Sequence, residues 1–199
     1  MTNSVDVLIV GFVEGERATG TVSLVRTPEA HVILVDCGDP WNGEELKGRL
    51  AEKGFAPDQV TDVVITHGHI DHCGNANLFK NARFFMDGDW ARDGLYGQRE
   101  NVHSISPSVR IVKRVGHTSC DLILVVDGCQ RGGTTVVAGS VKYWKRRPRF
   151  LSGDLFEDEN DEEKWRGNSQ YSEEHEESRE YVRKLADWIV PGHGDIFQV

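Results

Sequence analysis

The chain has no apolar run that approaches the roughly 20 residues needed for a membrane-spanning helix. Its N-terminus carries no Lys or Arg before the first apolar stretch, and Asp6 interrupts that stretch, so no secretory signal is predicted. None of the four cysteines belongs to a C-x-x-C pair, which argues against a zinc ribbon or a redox motif. We therefore expect a cytosolic protein with reduced, buried cysteines and no membrane contact.

Basic residues are fewer than acidic residues in this chain. The 23 Lys and Arg face 32 Asp and Glu, which gives a net charge of -9 and excludes a protein-wide attraction to nucleic acid. A polyanion would need a local basic patch. Residues 141–149 form one, with Lys145, Arg146 and Arg147 beside aromatic side chains. This pattern suits single-stranded nucleic acid, and an exposed hairpin is the structural alternative.

Hydrophobic periodicity over the 199 residues predicts one domain, residues 1–199, that is rich in short strands. Helices are predicted from Asp39-Pro40 to Gly54 and over residues 172–188, a polar loop over 87–108, and a solvated acidic loop over 157–163. This order favours an α/β sandwich with helices outside two sheets. The predicted strands cover residues 5–13, 21–26, 32–36, 62–66, 82–86, 109–115, 122–126, 135–138 and 150–151.

The segment T-H-G-H-I-D-H, residues 66–72, carries the clearest chemical signal. It offers three imidazoles and one carboxylate, from His67, His69, Asp71 and His72, and these are good zinc ligands that manganese or iron also accept. The segment follows an apolar strand, and Gly68 gives the backbone the freedom to fan the side chains around one point. A metal site at the end of this strand is therefore predicted.

Three fragments further along the chain each place a potential ligand beside glycine, at or near a predicted strand end. They are G-H-T with His117, S-G-D with Asp154, and P-G-H-G with His193. A closed structural zinc site needs only four protein ligands. Seven ligands therefore favour an open, catalytic pair of metals.

In this order, the motifs T-H-x-H-x-D-H, G-H-T, G-D and P-G-H-G resemble those of the metallo-β-lactamase superfamily. The resemblance implies an αβ/βα sandwich of two mixed sheets with outer helices and two zinc ions at one edge. It assigns His67, His69 and His117 to the first metal, and Asp71, His72 and His193 to the second. Asp154 would bridge both ions.

Metal chemistry then predicts a hydrolase that uses a metal-bound hydroxide as the nucleophile. Asp71 and Asp154 are the predicted catalytic carboxylates, with Asp71 orienting the nucleophile. The leaving-group acid is not identified: His103 is a candidate, and a surface histidine without a role is the alternative. Asp36 either supports a ligand histidine or belongs to a turn, and Cys73 is expected to pack beside the ligands.

A narrower resemblance, to an animal subgroup of the superfamily, is carried by T-H-G-H-I-D-H-C-G-N, G-D-L-F-E and V-P-G-H-G-x-x-F. It implies a homodimeric endoribonuclease of the cytosol and nucleus that acts on histone pre-mRNA 3′ ends. A thioesterase or small-ester hydrolase of glyoxalase II type is the first alternative. A non-catalytic metal-binding protein is the second.

Overall fold

The computed structural model of this protein describes residues 2–138 and 155–199. Nearly all predicted strands in this part are present, with ends shifted by one to three residues. The predicted strand at 150–151 lies outside the described residues. The described strands are β1 Ser4–Ile9, β2 Phe12–Glu14, β3 Arg17–Thr19, β4 Val22–Arg26, β5 Val32–Val35, β6 Asp62–Val64, β7 Arg83–Met86, β8 Asp89–Arg92, β9 Leu95–Gln98, β10 Val102–Ser106, β11 Val109–Arg114, β12 Asp121–Val126, β13 Thr135–Ala138, β14 Trp188–Pro191 and β15 Phe197–Gln198.

Two longer helices accompany the strands within the described residues. In α1, Leu46 and Leu50 are buried on one face as predicted, and Gly54 follows with a φ of 85°, a left-handed conformation that commonly ends a helix. None of the helices described is long and apolar enough to cross a membrane. The helices are α1 Gly43–Glu52, α2 Ile70–Cys73, α3 Lys164–Gly167 and α4 Ser172–Leu185.

The described strands form two mixed sheets and one separate hairpin. The first sheet has the order β1-β4-β5-β6-β7-β8-β9, and the second has the order β10-β11-β12-β13-β14-β15. Pairing is parallel between β5 and β6, β6 and β7, and β13 and β14. Strands β2 and β3 pair only with each other. The parallel strands β5 and β6 direct their carboxyl ends to one edge of the first sheet.

Three apolar clusters define the layers of the sandwich. Buried side chains from both sheets, such as Val35 of β5 and Leu124 of β12, form the central cluster. Leu46 of α1 packs on the outer face of the first sheet, and Val182 of α4 packs on the outer face of the second. The predicted αβ/βα sandwich is therefore confirmed.

The predicted polar loop over residues 87–108 is wrong. The chain there forms β8, β9 and β10. Asp93 and Gly94 both have positive φ values, 49° and 77°, which is the backbone of a two-residue hairpin turn. Asp87-Gly88 makes the preceding hairpin between β7 and β8. The two D-G pairs were a sequence signal for hairpins that the polar composition of the segment obscured.

Both predicted helices have different ends in the structure. Helix α1 begins at Gly43, because the Asp39 carboxylate accepts a hydrogen bond from the Thr19 hydroxyl and does not cap the helix. Helix α4 ends at Leu185, and Trp188 starts strand β14, which pairs in parallel with β13. In each case a long-range hydrogen bond replaced the local helical one, and periodicity alone cannot show this.

Two further local predictions need correction. The stretch 5–13 is divided at Gly11, where an added Cβ would lie 2.6 Å from the Gly192 carbonyl oxygen, so only glycine fits this close approach. The acidic stretch 157–163 is not wholly solvated, because Glu157 and Asp161 are buried. Asp161 forms a buried ion pair with Arg179, which compensates for the burial of its charge.

The central apolar layer gives a test of the packing. Leu124 is fully buried between the sheets, whereas Leu95 is 69% exposed. We expect Leu124→Ala to lower the free energy of unfolding by ~2–5 kcal/mol, because it leaves a cavity. The matched control Leu95→Ala should change it by no more than about 0.5 kcal/mol. Urea denaturation measures both values, and equal effects would contradict the assigned core.

Candidate metal centre

Strand β6 delivers the histidine-rich segment to the edge of the sandwich. Beyond its end, Ile65 still bonds to β7, and the Thr66 carbonyl accepts a hydrogen bond from the Leu122 N–H of β12 in the second sheet. The backbone then turns through His67 and His69 into the short helix α2. The segment therefore starts where the two sheets meet, which is where ligands from both can converge.

The structure brings six of the seven predicted ligands together in two groups. His67, His69 and His117 form the first group; Asp71, His72 and His193 form the second. Within each group, the candidate ligand atoms lie within 4.8 Å of one another. The groups are adjacent, because the His67 and His72 ring centroids are 4.4 Å apart.

Hydrogen bonds to the Nδ1 atoms fix how three of these rings face the centre. His193 Nδ1 donates to the Thr19 carbonyl oxygen at 2.6 Å, and His72 Nδ1 donates to Asp36 Oδ2 at 2.7 Å. His67 Nδ1 lies 3.1 Å from the Thr66 hydroxyl. Because Thr66 donates its own proton to Asp36, its oxygen accepts from His67. All three rings then carry their lone pair on Nε2.

These Nε2 atoms test whether the site fits a metal. Those of His67, His72 and His193 are buried and have no hydrogen-bond partner among the described residues, and the same holds for Asp71 Oδ2. Buried polar atoms without a partner are costly. Divalent zinc binds neutral imidazole and carboxylate oxygen, so four inward-facing acceptor atoms are the donor set that such a cation requires.

Burial also keeps most of the rings in the neutral form that binds metal. It lowers the pKa of His67 and His117 well below the usual value, and neighbouring histidines lower it further. Burial lowers the pKa of His193 to about 4. For His72, burial acts in the same direction, but the Asp36 carboxylate raises the pKa, because it stabilises a positive charge on the ring. A bound cation would supply that charge in place of the proton.

Asp36 supports a ligand histidine, as the first of the two interpretations from sequence holds, and it does not lie in a turn. Its φ is 59°, and its carboxylate accepts hydrogen bonds from the Thr66 N–H, the Thr66 hydroxyl and His72. Cys73 packs beside the ligands as expected, with its thiol 3.2 Å from the His69 carbonyl oxygen.

The remaining predicted site residues are separate from these two groups or lie outside the described residues. His103 is on β10, with its ring 5.0 Å from that of Phe85, and it is not a member of either ligand group. Asp154 and the basic residues Lys145, Arg146 and Arg147 are not within the described ranges 2–138 and 155–199. Their roles remain predictions.

Sequence reasoning missed Thr19, whose carbonyl oxygen orients His193. A backbone acceptor that lies 174 residues away leaves no local signal in the sequence. It also missed the pocket formed by the β2–β3 hairpin.

A cleft of about 630 Å³ opens beside His193. Phe12 and Val13 of the hairpin supply an apolar wall. Lys164 also lines the cleft and forms an ion pair with Asp158 at 2.6 Å. The other charged groups are carboxyls, and burial raises the pKa of Glu157 to about 7. The carboxyl groups of the cleft belong to Glu14, Glu157, Asp158 and Glu163.

The fold and the site together define an αβ/βα sandwich with a candidate divalent-metal centre at the edge of its sheets. The family profile of the metallo-β-lactamase superfamily matches residues 16–193, so the chain belongs to this superfamily. It is 38% identical over 208 residues to metallo-β-lactamase domain-containing protein 1 of Xenopus laevis, which covers 99% of this chain and 82% of the relative.

Other comparisons agree with this assignment. The Homo sapiens protein of the same name is 38% identical over 175 residues, which cover 84% of this chain and 59% of the relative. A metallo-β-lactamase-type structure from Thermotoga maritima superposes with a TM-score of 0.70 at 20% identity, and the match covers 100% of both chains. The human relative is therefore considerably longer than this chain.

The buried contacts of Asp36 predict its effect on metal binding. We expect Asp36→Asn to raise the metal dissociation constant by ~10–100-fold, because the amide removes the charge that orients His72. Asn is chosen because it tolerates the positive φ. Zinc titration against a chromophoric chelator measures the change, and the exposed variant Glu52→Gln is the control. Unchanged affinity in a folded Asp36→Asn protein would refute this role.

Proposed function

We propose that this protein is a hydrolase that works with two divalent metal ions, zinc by preference and manganese or iron as substitutes. One observation carries the proposal: two adjacent groups of three ligand atoms each. Three unshared protein ligands per ion are one fewer than the four that close a structural zinc site, which is typical of catalytic zinc. The fourth ligand shared by both ions would be Asp154, as the superfamily resemblance implies.

Bound metals would lower the pKa of a water molecule and polarise the bond under attack. The protein side chains would position the attacking water and the substrate. Asp71 belongs to the second ligand group, with its Oδ2 3.7 Å from His72 Nε2, so its carboxylate would also accept a hydrogen bond from the attacking water and orient it. The buried ring of His193 lines the cleft, and a substrate in the cleft therefore lies beside the second ligand group.

For the substrate we propose single-stranded RNA, with the 3′ end of histone pre-mRNA as the specific form. Two partial relatives support phosphodiester chemistry: the ribonuclease TTHA0252 of Thermus thermophilus and the transcription termination factor FttA of Methanococcus maripaludis. They are 38% and 39% identical to this chain over 66 residues, about a third of its length. The basic patch over residues 141–149 would bind the phosphates, and a homodimer of the cytosol and nucleus remains our expectation.

A small ester or thioester is the second candidate substrate, and the chemistry of the cleft favours it. Four carboxyl groups and one ammonium group line the cleft beside His193, so its walls repel a polyanion at neutral pH. A small substrate with an apolar group and far fewer negative charges than RNA would fit against Phe12 and Val13. This candidate predicts turnover of S-acylglutathione and indifference to RNA.

Cleavage assays with the metal-loaded protein separate the two substrates. We expect cleavage of a labelled single-stranded RNA that contains a histone 3′ end, and a loss of ~100-fold or more in Asp154→Asn, because electrostatic stabilisation of the transition state is removed. The same preparations are tested on S-acylglutathione. Thioester turnover without RNA cleavage would favour the second candidate. Bound metal without turnover of either substrate would indicate a non-catalytic metal-binding protein.

The basic patch has a separate test. Replacing Lys145, Arg146 and Arg147 with Ala should weaken RNA binding and flatten its salt dependence, by a slope of ~0.7 for each phosphate that the patch no longer neutralises. The matched control removes three exposed cations elsewhere, Lys47, Arg49 and Lys184, and should change RNA affinity little. Binding isotherms at several salt concentrations measure both. Equal effects would show that only net charge matters.

A further inference from the structure

Helix α4 buries a row of polar side chains against the part of the fold that holds the metal ligands. His175, Ser178 and Arg179 are 0%, 1% and 3% exposed. Their spacing of three and four residues places them on one face of the helix. Buried polar groups are normally retained where they have hydrogen-bond partners, and the partners of Ser178 and Arg179 lie in segments that carry predicted ligands.

Ser178 and the start of the helix hold the segment before His117. The Ser178 hydroxyl donates to the Val115 carbonyl oxygen at 2.8 Å. The next carbonyl, of Gly116, accepts three hydrogen bonds from the residues that lead into α4. The close approach leaves no room for a side chain, because a Cβ at Gly116 would lie 2.6 Å from the His175 Cα. The three donors are Ser169 Oγ, Gln170 N and Tyr171 N.

Arg179 holds a different segment, residues 155–157. Its guanidinium donates to the Leu155 carbonyl oxygen and to Asp161, with an Nη1–Oδ2 distance of 2.9 Å. It lies over the Phe156 ring at 4.3 Å. Asp161 Oδ2 in turn accepts the Glu157 N–H at 3.0 Å. The backbone of the three-residue segment is therefore fixed at both ends by one buried ion pair.

This segment continues directly to a ligand of the second group. The Phe156 carbonyl oxygen accepts the Gly192 N–H at 3.1 Å, and that of Glu157 accepts the His193 N–H at 2.9 Å. The segment also begins immediately after Asp154 in the sequence. Arg179 thus reaches His193 through three successive hydrogen bonds, by way of Asp161 and Glu157, although it contacts none of the predicted ligands among the described residues.

We infer that Arg179, together with Asp161, is a positioning residue for the second metal, because it fixes the backbone that contacts His193. Ser178 is a positioning residue for the first metal, because it fixes the segment before His117. A buried ion pair contributes little to stability, because desolvation of two charges offsets their attraction. Its geometry, however, is fixed by several directed hydrogen bonds, and it transmits that geometry to His193. The inference rests on the metal centre proposed above and adds that α4 supports the two sites through different side chains.

Stepwise Co²⁺ titration tests this inference, because the visible absorption of Co²⁺ reports its ligand geometry. Two reference variants define the sites: His193→Ala removes the second, and His117→Ala removes the first. We expect Arg179→Met to weaken the second site by ~10–100-fold, as loss of ligand support typically does, and to affect the first site less, because only the second site also loses the support of His193. Ser178→Ala should show the reverse. Lys184→Met, which removes an exposed cation from the same helix, should match wild type.

The conservative variant Arg179→Lys covers the case in which Arg179→Met does not fold. Lysine keeps the charge opposite Asp161 but lacks the planar fork that also reaches Leu155, so it should weaken the second site more than the first. A folded Arg179 variant with both sites unchanged, or with both weakened equally, would overturn the positioning role. A wild-type protein that binds no Co²⁺ would instead refute the metal centre, and with it both proposals.

Discussion

The constraint that shapes this structure is the burial of the Nε2 atoms of His67, His72 and His193, which have no hydrogen-bond partner among the described residues. Such atoms cost free energy in an apolar surrounding, and the chain places several of them, from distant segments, at one point. In each of these three rings, the opposite nitrogen, Nδ1, donates a hydrogen bond that fixes the ring. Asp36, Thr66 and Thr19 supply the acceptors. The acceptors fix both the ring orientation and the tautomer, which leaves the lone pairs directed at a metal.

The two sheets of the sandwich bring the ligand segments together at one edge. Asp36 follows β5 and His67 follows β6, and these neighbouring parallel strands end at the same edge. His117 follows β11 and His193 follows β14, both in the second sheet. Because the apolar clusters fix the distance between the sheets, they also fix the distance between the ligands. The outer helix α4 then holds two of these segments through its buried polar side chains.

The surroundings of the centre carry the same sign of charge as the proposed RNA substrate. The chain has a net charge of -9, and most of the charged groups that line the cleft beside His193 are carboxyls. Two bound divalent cations would reverse the local sign at the centre itself, but not along the cleft wall. An RNA substrate would therefore approach along another path, for which the basic residues 141–149 are the candidate surface. A small uncharged ester has no such restriction.

The sequence by itself determined the ligand types, their order and their positions at strand ends, because His, Asp and Gly in these short motifs have few other uses. It also determined the layers, through the periodicity of its apolar residues. The family resemblance supplied the grouping of the ligands. Only the tertiary structure decided the partners of Asp36 and Thr19, the strand at Trp188 and the contacts of Arg179. The physical reason is sequence distance. His193 and Thr19 are 174 residues apart, and a contact of that span is set by how the sheets pack and not by any local pattern.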